Sequence, residues 1–70
     1  MDIRKQVGLN LRRLREARGL SQEELAFEAE LHRTYISGVE RGVRNPTVTV
    51  LAKIAAGLKV TPDQLLKALR

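Results

Sequence analysis

The stretch Ser21 to Glu40, SQEELAFEAELHRTYISGVE, sets the frame for the rest of the chain. Leu25, Ala26 and Ala29 mark one apolar face at helical spacing, and Ile36 and Val39 mark a second. Two short helices joined by a tight turn satisfy both patterns. Such a pair buries its apolar faces and leaves one polar face free. On the second helix that face carries Arg33, Thr34, Ser37 and Arg41.

A core must be built around this pair from 70 residues without a cysteine. Neither disulfides nor thiolate metal sites can support it, and a domain of this size retains only about 3–5 kcal/mol. The remaining supports are helix capping and self-association. Apolar content is 43%, with a single Tyr and a single Phe. It is mostly Leu, Ala, Val and Ile, which favours packed helices. The expectation is one all-α domain over residues 1–70.

Upstream, Ile3, Val7, Leu11, Leu14 and Ala17 form one helical stripe. Arg4, Lys5, Arg12, Arg13, Arg15 and Arg18 on this segment oppose only Asp2 and Glu16, so much of the net charge of +5 is expected there. Gly19 can close the helix in a left-handed conformation, with Leu20 folding back on its last turn. Ser21 then caps the next helix, and Glu24 completes a capping box. Glu23, Glu24, Glu28 and Glu30 make that helix acidic, so only its N-terminal end suits an anion.

The second helix of the pair runs from about Arg33 to Arg41 and ends at Gly42. His32 stands where Ser, Thr or Asp normally caps, as a cap substitute or a neighbour of phosphate. Gly38 in mid-helix costs roughly 1 kcal/mol against alanine; close approach of another backbone is one explanation, and simple tolerance the other. Gly42 to Pro46 reads as a loop. Thr47 caps a helix of about Val48 to Leu58, with Val48, Leu51, Ala52, Ile54, Ala55 and Leu58 apolar. Thr61-Pro62-Asp63-Gln64 opens a last helix with Leu65, Leu66 and Leu69 on it.

The charge balance raises the odds of an anionic partner without naming it. Arg33 carries the side chain that bonds both major-groove acceptors of guanine; a phosphate contact is its alternative. Thr34 and Ser37 are short and suit phosphate. Tyr35 either touches the ligand or is half core. Arg44, Asn45 and Thr47 sit where a loop and a helix start can clamp a backbone. One histidine, no cysteine and serines without an evident base give no catalytic triad and no metal set. No catalytic residue, metal or cofactor is expected. No apolar run approaches the roughly 20 residues of a membrane span, and the charged N-terminus lacks a signal-peptide core, so a soluble cytoplasmic protein is expected.

Ser21-Gln22-Glu23-Glu24-Leu25-Ala26, Tyr35-Ile36-Ser37, Glu40-Arg41-Gly42 and Asn45-Pro46-Thr47 together resemble the Cro/phage-repressor type of helix-turn-helix domain, the XRE family. Arg33 to Gly38, followed by Glu40-Arg41 and Arg44-Asn45, looks most like the controller proteins of restriction–modification systems. The resemblance implies a compact five-helix, lambda-repressor-like fold and a sequence-specific transcriptional regulator, bound to a double-stranded operator as a two-fold homodimer. It places Gln22 on phosphate, and Arg33, Thr34 and Ser37 on bases or adjacent phosphates. Tyr35 and Arg44 match positions that touch DNA, and Arg15 and Glu40 match a family ion pair. Two departures stand out: Gly38 replaces a frequent base-reading side chain, and Lys59 stands where glycine commonly joins the last two helices.

Leucine-rich residues near the end, Leu58, Val60, Leu65, Leu66 and Leu69, are the candidates for the dimer interface. No effector domain is evident, so control by concentration is expected rather than by a small molecule. An antitoxin or other protein-interaction module of the same fold is the alternative. Nonspecific nucleic-acid binding is the third.

Overall fold

The computed structural model describes residues 2–68 and consists of α1 (Ile3–Ala17), α2 (Gln22–Ala29), α3 (Arg33–Glu40), α4 (Val48–Leu58) and α5 (Asp63–Leu66). No strand occurs among the described residues. The fold is all-α with five helices, as the residue pattern implies.

The helix ends follow local chemistry. Asp2 caps α1 by accepting from the Arg4 amide at 2.8 Å. At the other end Gly19, at φ 69°, lets its own amide reach Glu16 O at 3.0 Å and the Leu20 amide reach Arg15 O at 3.1 Å. Ser21 and Glu24 form the reciprocal capping box: the Glu24 amide donates to Ser21 Oγ at 3.0 Å, and the Ser21 amide to Glu24 Oε1 at 2.8 Å. Thr47 caps α4 through the Val50 amide at 3.2 Å. His32 precedes α3 without a side-chain capping bond. Two turns run through left-handed residues other than glycine, Glu30 at φ 57° and Lys59 at φ 58°. Each costs roughly 1–2 kcal/mol relative to glycine, so the strain expected at Lys59 is present.

Val7, Leu11, Leu25, Ala26, Ile36, Val39, Leu51, Ile54, Ala55, Leu58 and Leu65 make one core contributed by all five helices. Where α1 meets α3 the backbones nearly touch. A Cβ at Gly8 would lie 2.5 Å from the carbonyl oxygens of both Val39 and Glu40. Asn10 is fully buried, and its amide donates to Leu65 O at 2.9 Å and Lys67 O at 2.7 Å. Gln6 donates to Leu66 O at 2.8 Å. These amides fasten a helix too short to hold itself.

Several sequence expectations need correction. Ile3 and Ala17 of the first stripe are exposed, because the curve of the core is met only by Val7 and Leu11, with Leu14 at its edge. Val48 and Ala52 face outward on α4. Thr61 does not cap α5: Pro62 occupies the cap position, no side chain bonds there, and Gln64 completes no box. Leu58 and Leu65 are fully buried in the chain's own core, so neither has surface to offer a second subunit. Leu66 is exposed and Val60 half-buried. Leu69 lies outside the described residues.

Candidate nucleic-acid interface

The chain folds so that α3 is held from behind and open in front. Ile36 and Val39 are fully buried, and the Gly8 contact brings α1 against the C-terminal turn of α3. The opposite side carries Arg33 and Thr34 exposed, Ser37 half-buried and Arg41 exposed. Tyr35 packs against the edge of the core and is half-buried, which is the half-core role the sequence left open to it. His32, Arg44, Asn45 and Thr47 are exposed, before and after the helix. Thr47 has spent a lone pair on its cap, and its hydroxyl proton stays available to a ligand.

Behind this face sits a polar lock. Arg15 donates to Glu40 through Nε at 2.6 Å and Nη2 at 3.1 Å, and through Nη1 to Leu20 O at 2.7 Å. The two side chains are only 12% and 5% exposed. The hydrogen bond to Glu40 raises the Arg15 guanidinium above its ordinary value, against the desolvation that burial imposes. The same carboxylate accepts from Gln22 Nε2 at 3.1 Å. Glu40 at the end of α3 therefore fixes α1 and the first residue of α2, while Arg15 holds the turn between them. The expected Arg15–Glu40 pair is present. Gln22, expected to face phosphate, is engaged with Glu40 in the free protein. Arg15, Ser21, Gln22, Glu23 and Arg33 line one open cleft of about 390 Å³ at the N-terminus of α2, so Gln22 and Arg33 do share a site.

Pairing sorts the basic residues. On and beside α1, Arg4 is paired with Asp2 at 3.0 Å, Arg12 with Glu16 at 3.2 Å and Arg15 with Glu40. Arg18 closes the C-terminus of α4 through Leu58 O at 2.6 Å, and Arg13 bonds Asn10 Oδ1 at 3.3 Å. Much of the charge that the sequence places on α1 is thus held in ion pairs and hydrogen bonds within the chain. The guanidinium groups of Arg33, Arg41 and Arg44 have no carboxylate or hydrogen-bond partner among the described residues. Among the described residues, the guanidinium groups without a partner lie on and just after α3.

Three supports of the fold carry little or no signal in the sequence. Gly8 carries the close approach of α1, and its signal was a glycine beside Val7 inside an apolar stripe. Asn10 and Arg18 satisfy helix ends far along the chain, for which the sequence held no signal.

Two helices meeting at a three-residue turn, with the second presenting free arginines, define a helix-turn-helix DNA-binding domain. The chain belongs to the helix-turn-helix family HTH_3, whose model matches residues 11–65. It is a transcriptional regulator of that family and stands close to restriction–modification controller proteins. Control protein C.BamHI of Bacillus amyloliquefaciens is 47% identical over 66 residues, spanning 93% of this chain and 82% of that protein. Control protein C.SmaI of Serratia marcescens is 44% identical over 66 residues, spanning 94% and 79%. The crystal structure of the restriction–modification controller protein C.AhdI from Aeromonas hydrophila matches with a TM-score of 0.87 at 47% identity, covering 89% of this chain and 94% of that one. No helix among the described residues is long and apolar enough to cross a membrane.

Proposed function

We propose that this chain is a controller-type regulator that binds a (pseudo)palindromic operator as a homodimer, with one α3 in each of two major grooves. The observation that carries the reading is the presence of unpaired Arg33, Arg41 and Arg44 on and beside α3, while Arg4, Arg12 and Arg15 of α1 are paired with carboxylates. Arg33, at the start of α3, reads a base edge. Thr34, Ser37, Arg41, Asn45 and Thr47 hold flanking phosphates, with Gln22 joining them once it leaves Glu40, and Tyr35 and His32 border the contact.

Size supports two subunits. The described residues extend 29 Å along their longest axis and carry one α3, whereas successive half-sites lie roughly 34 Å apart, one helical turn. A single subunit covers one half-site. Leu66 and Val60 remain as the dimer candidates among the described residues. In this reading the protein is non-catalytic and cytoplasmic, takes no small-molecule effector and acts through its own concentration. Selection of bound sequences from random duplexes, followed by mass measurement of the complex, tests it. A palindromic consensus carrying two chains is expected. One chain per site, or no consensus, contradicts it.

A further inference from the structure

Gly38 is buried in the middle of α3, on the helix that reads DNA, at a position one turn from Thr34 and adjoining Ser37 and Arg41. The space a side chain would fill there is taken. A Cβ at Gly38 would lie 2.4 Å from Arg44 Cγ, 3.4 Å from Arg44 Nε and 3.5 Å from Arg44 Cβ. The stem of Arg44 therefore lies along α3 in the slot that the glycine leaves. Its backbone is tied down at the same place: the Gly38 carbonyl accepts the amides of Val43 at 3.0 Å and Arg44 at 3.2 Å. Arg44 itself is exposed, and its guanidinium has no partner among the described residues.

We infer that Gly38 is a positioning residue, which seats Arg44 against α3 so that the loop arginine supplies the DNA contact that position 38 lacks. The inference rests on the DNA-reading role proposed above. It explains why a helix interior keeps its poorest former short of proline. A freely rotating arginine surrenders its rotamer freedom on binding, whereas a seated one has surrendered it already. A β-carbon at position 38 meets Cγ, the second carbon of the stem, so relief requires rotation about χ1 and swings the whole guanidinium off the face. The fold survives that rotation and the presentation does not.

The test is a double-mutant cycle on Gly38→Ala and Arg44→Ala, measuring affinity for the selected operator and for random duplex at fixed salt. Each single variant is expected to lose about tenfold in the preference for operator over random duplex, within the range of one lost specific contact. The double variant is expected to lose no more than Arg44→Ala alone. Circular dichroism melts of Gly38→Ala are expected to remain cooperative, which separates the effect from unfolding. Full preference in Gly38→Ala, or losses that multiply in the double variant, overturns the inference. In the free protein, NMR should show Arg44 side-chain contacts to the Gly38 α-protons, lost in Gly38→Ala; their absence from the wild type also overturns the seat. A wild type that selects no sequence contradicts the operator reading, and the NMR contact then decides the seat by itself.

Discussion

Glu40 closes α3 with a carboxylate that is gripped at both oxygens by Arg15, at 2.6 and 3.1 Å. The pair is nearly buried and connects α3 to α1. Removing one member strands the other's charge in poorly solvated surroundings. Glu40→Ala or Arg15→Ala should cost about 2–3 kcal/mol, somewhat below the cost of breaking a fully buried pair. Urea melts check this, and an apolar replacement of both residues should recover much of the loss. Equal melts for wild type and Glu40→Ala would show that the lock adds no stability.

Gly8 predicts a second structural failure. An added methyl group there meets backbone carbonyls of Val39 and Glu40, which cannot rotate away as a side chain can. Gly8→Ala should lose at least about 2 kcal/mol, typical of overpacking at a close contact. Because α3 must retreat, operator affinity should fall with it. Retention of wild-type melting would show that the two helices separate at little cost.

The capping box gives a pH dependence. Hydrogen bonds from the Ser21 backbone and then its side chain lower the Glu24 carboxyl below the ordinary glutamate range. The folded-state pKa is depressed relative to the unfolded one. The contribution is therefore fully present above the unfolded value and is lost as pH falls through the folded value. Glu24→Gln should flatten that part of the acid limb of stability while changing neutral stability little, since an amide oxygen also accepts from Ser21. An unchanged acid limb would assign it to other carboxylates. Ser21→Ala removes the cap bond and should cost about 1 kcal/mol at neutral pH.

For association, exposure separates residues that the sequence grouped together. Leu65 is buried, and Leu65→Ala should destabilise the chain by about 2–5 kcal/mol. Leu66, 46% exposed, is free to meet a second subunit. Leu66→Glu should leave the fold melting cooperatively and shift sedimentation from dimer to monomer. A dimeric Leu66→Glu variant would move the interface elsewhere.

What the sequence disclosed followed physical range. Ser21, Glu24, Gly19 and Thr47 act on groups a few residues away, so their caps were legible before any coordinates. Periodicity likewise placed Leu25, Ile36 and Leu51 in the core. It could not say which leucine of a rich segment turns inward, and so Leu58 and Leu65 were grouped with Leu66. The candidate face was legible as a set of polar residue types on one helix. Its selectivity was not, because whether an arginine is spent on a carboxylate depends on partners such as Glu40, 25 positions away. The reason for Gly38 depended in the same way on where the loop laid Arg44.

In the proposed function Arg33 reads sequence from a helix whose neighbours hold phosphate. The most direct measurement compares Arg33→Ala with Arg41→Ala on operator and random duplexes over a range of salt. Loss of Arg33 should erase discrimination worth about 1–3 kcal/mol and relax preference at one base position in each half-site. Loss of Arg41 should weaken both duplexes alike and reduce the salt slope by about one. Equal loss on operator and random duplex for Arg33→Ala would contradict the account.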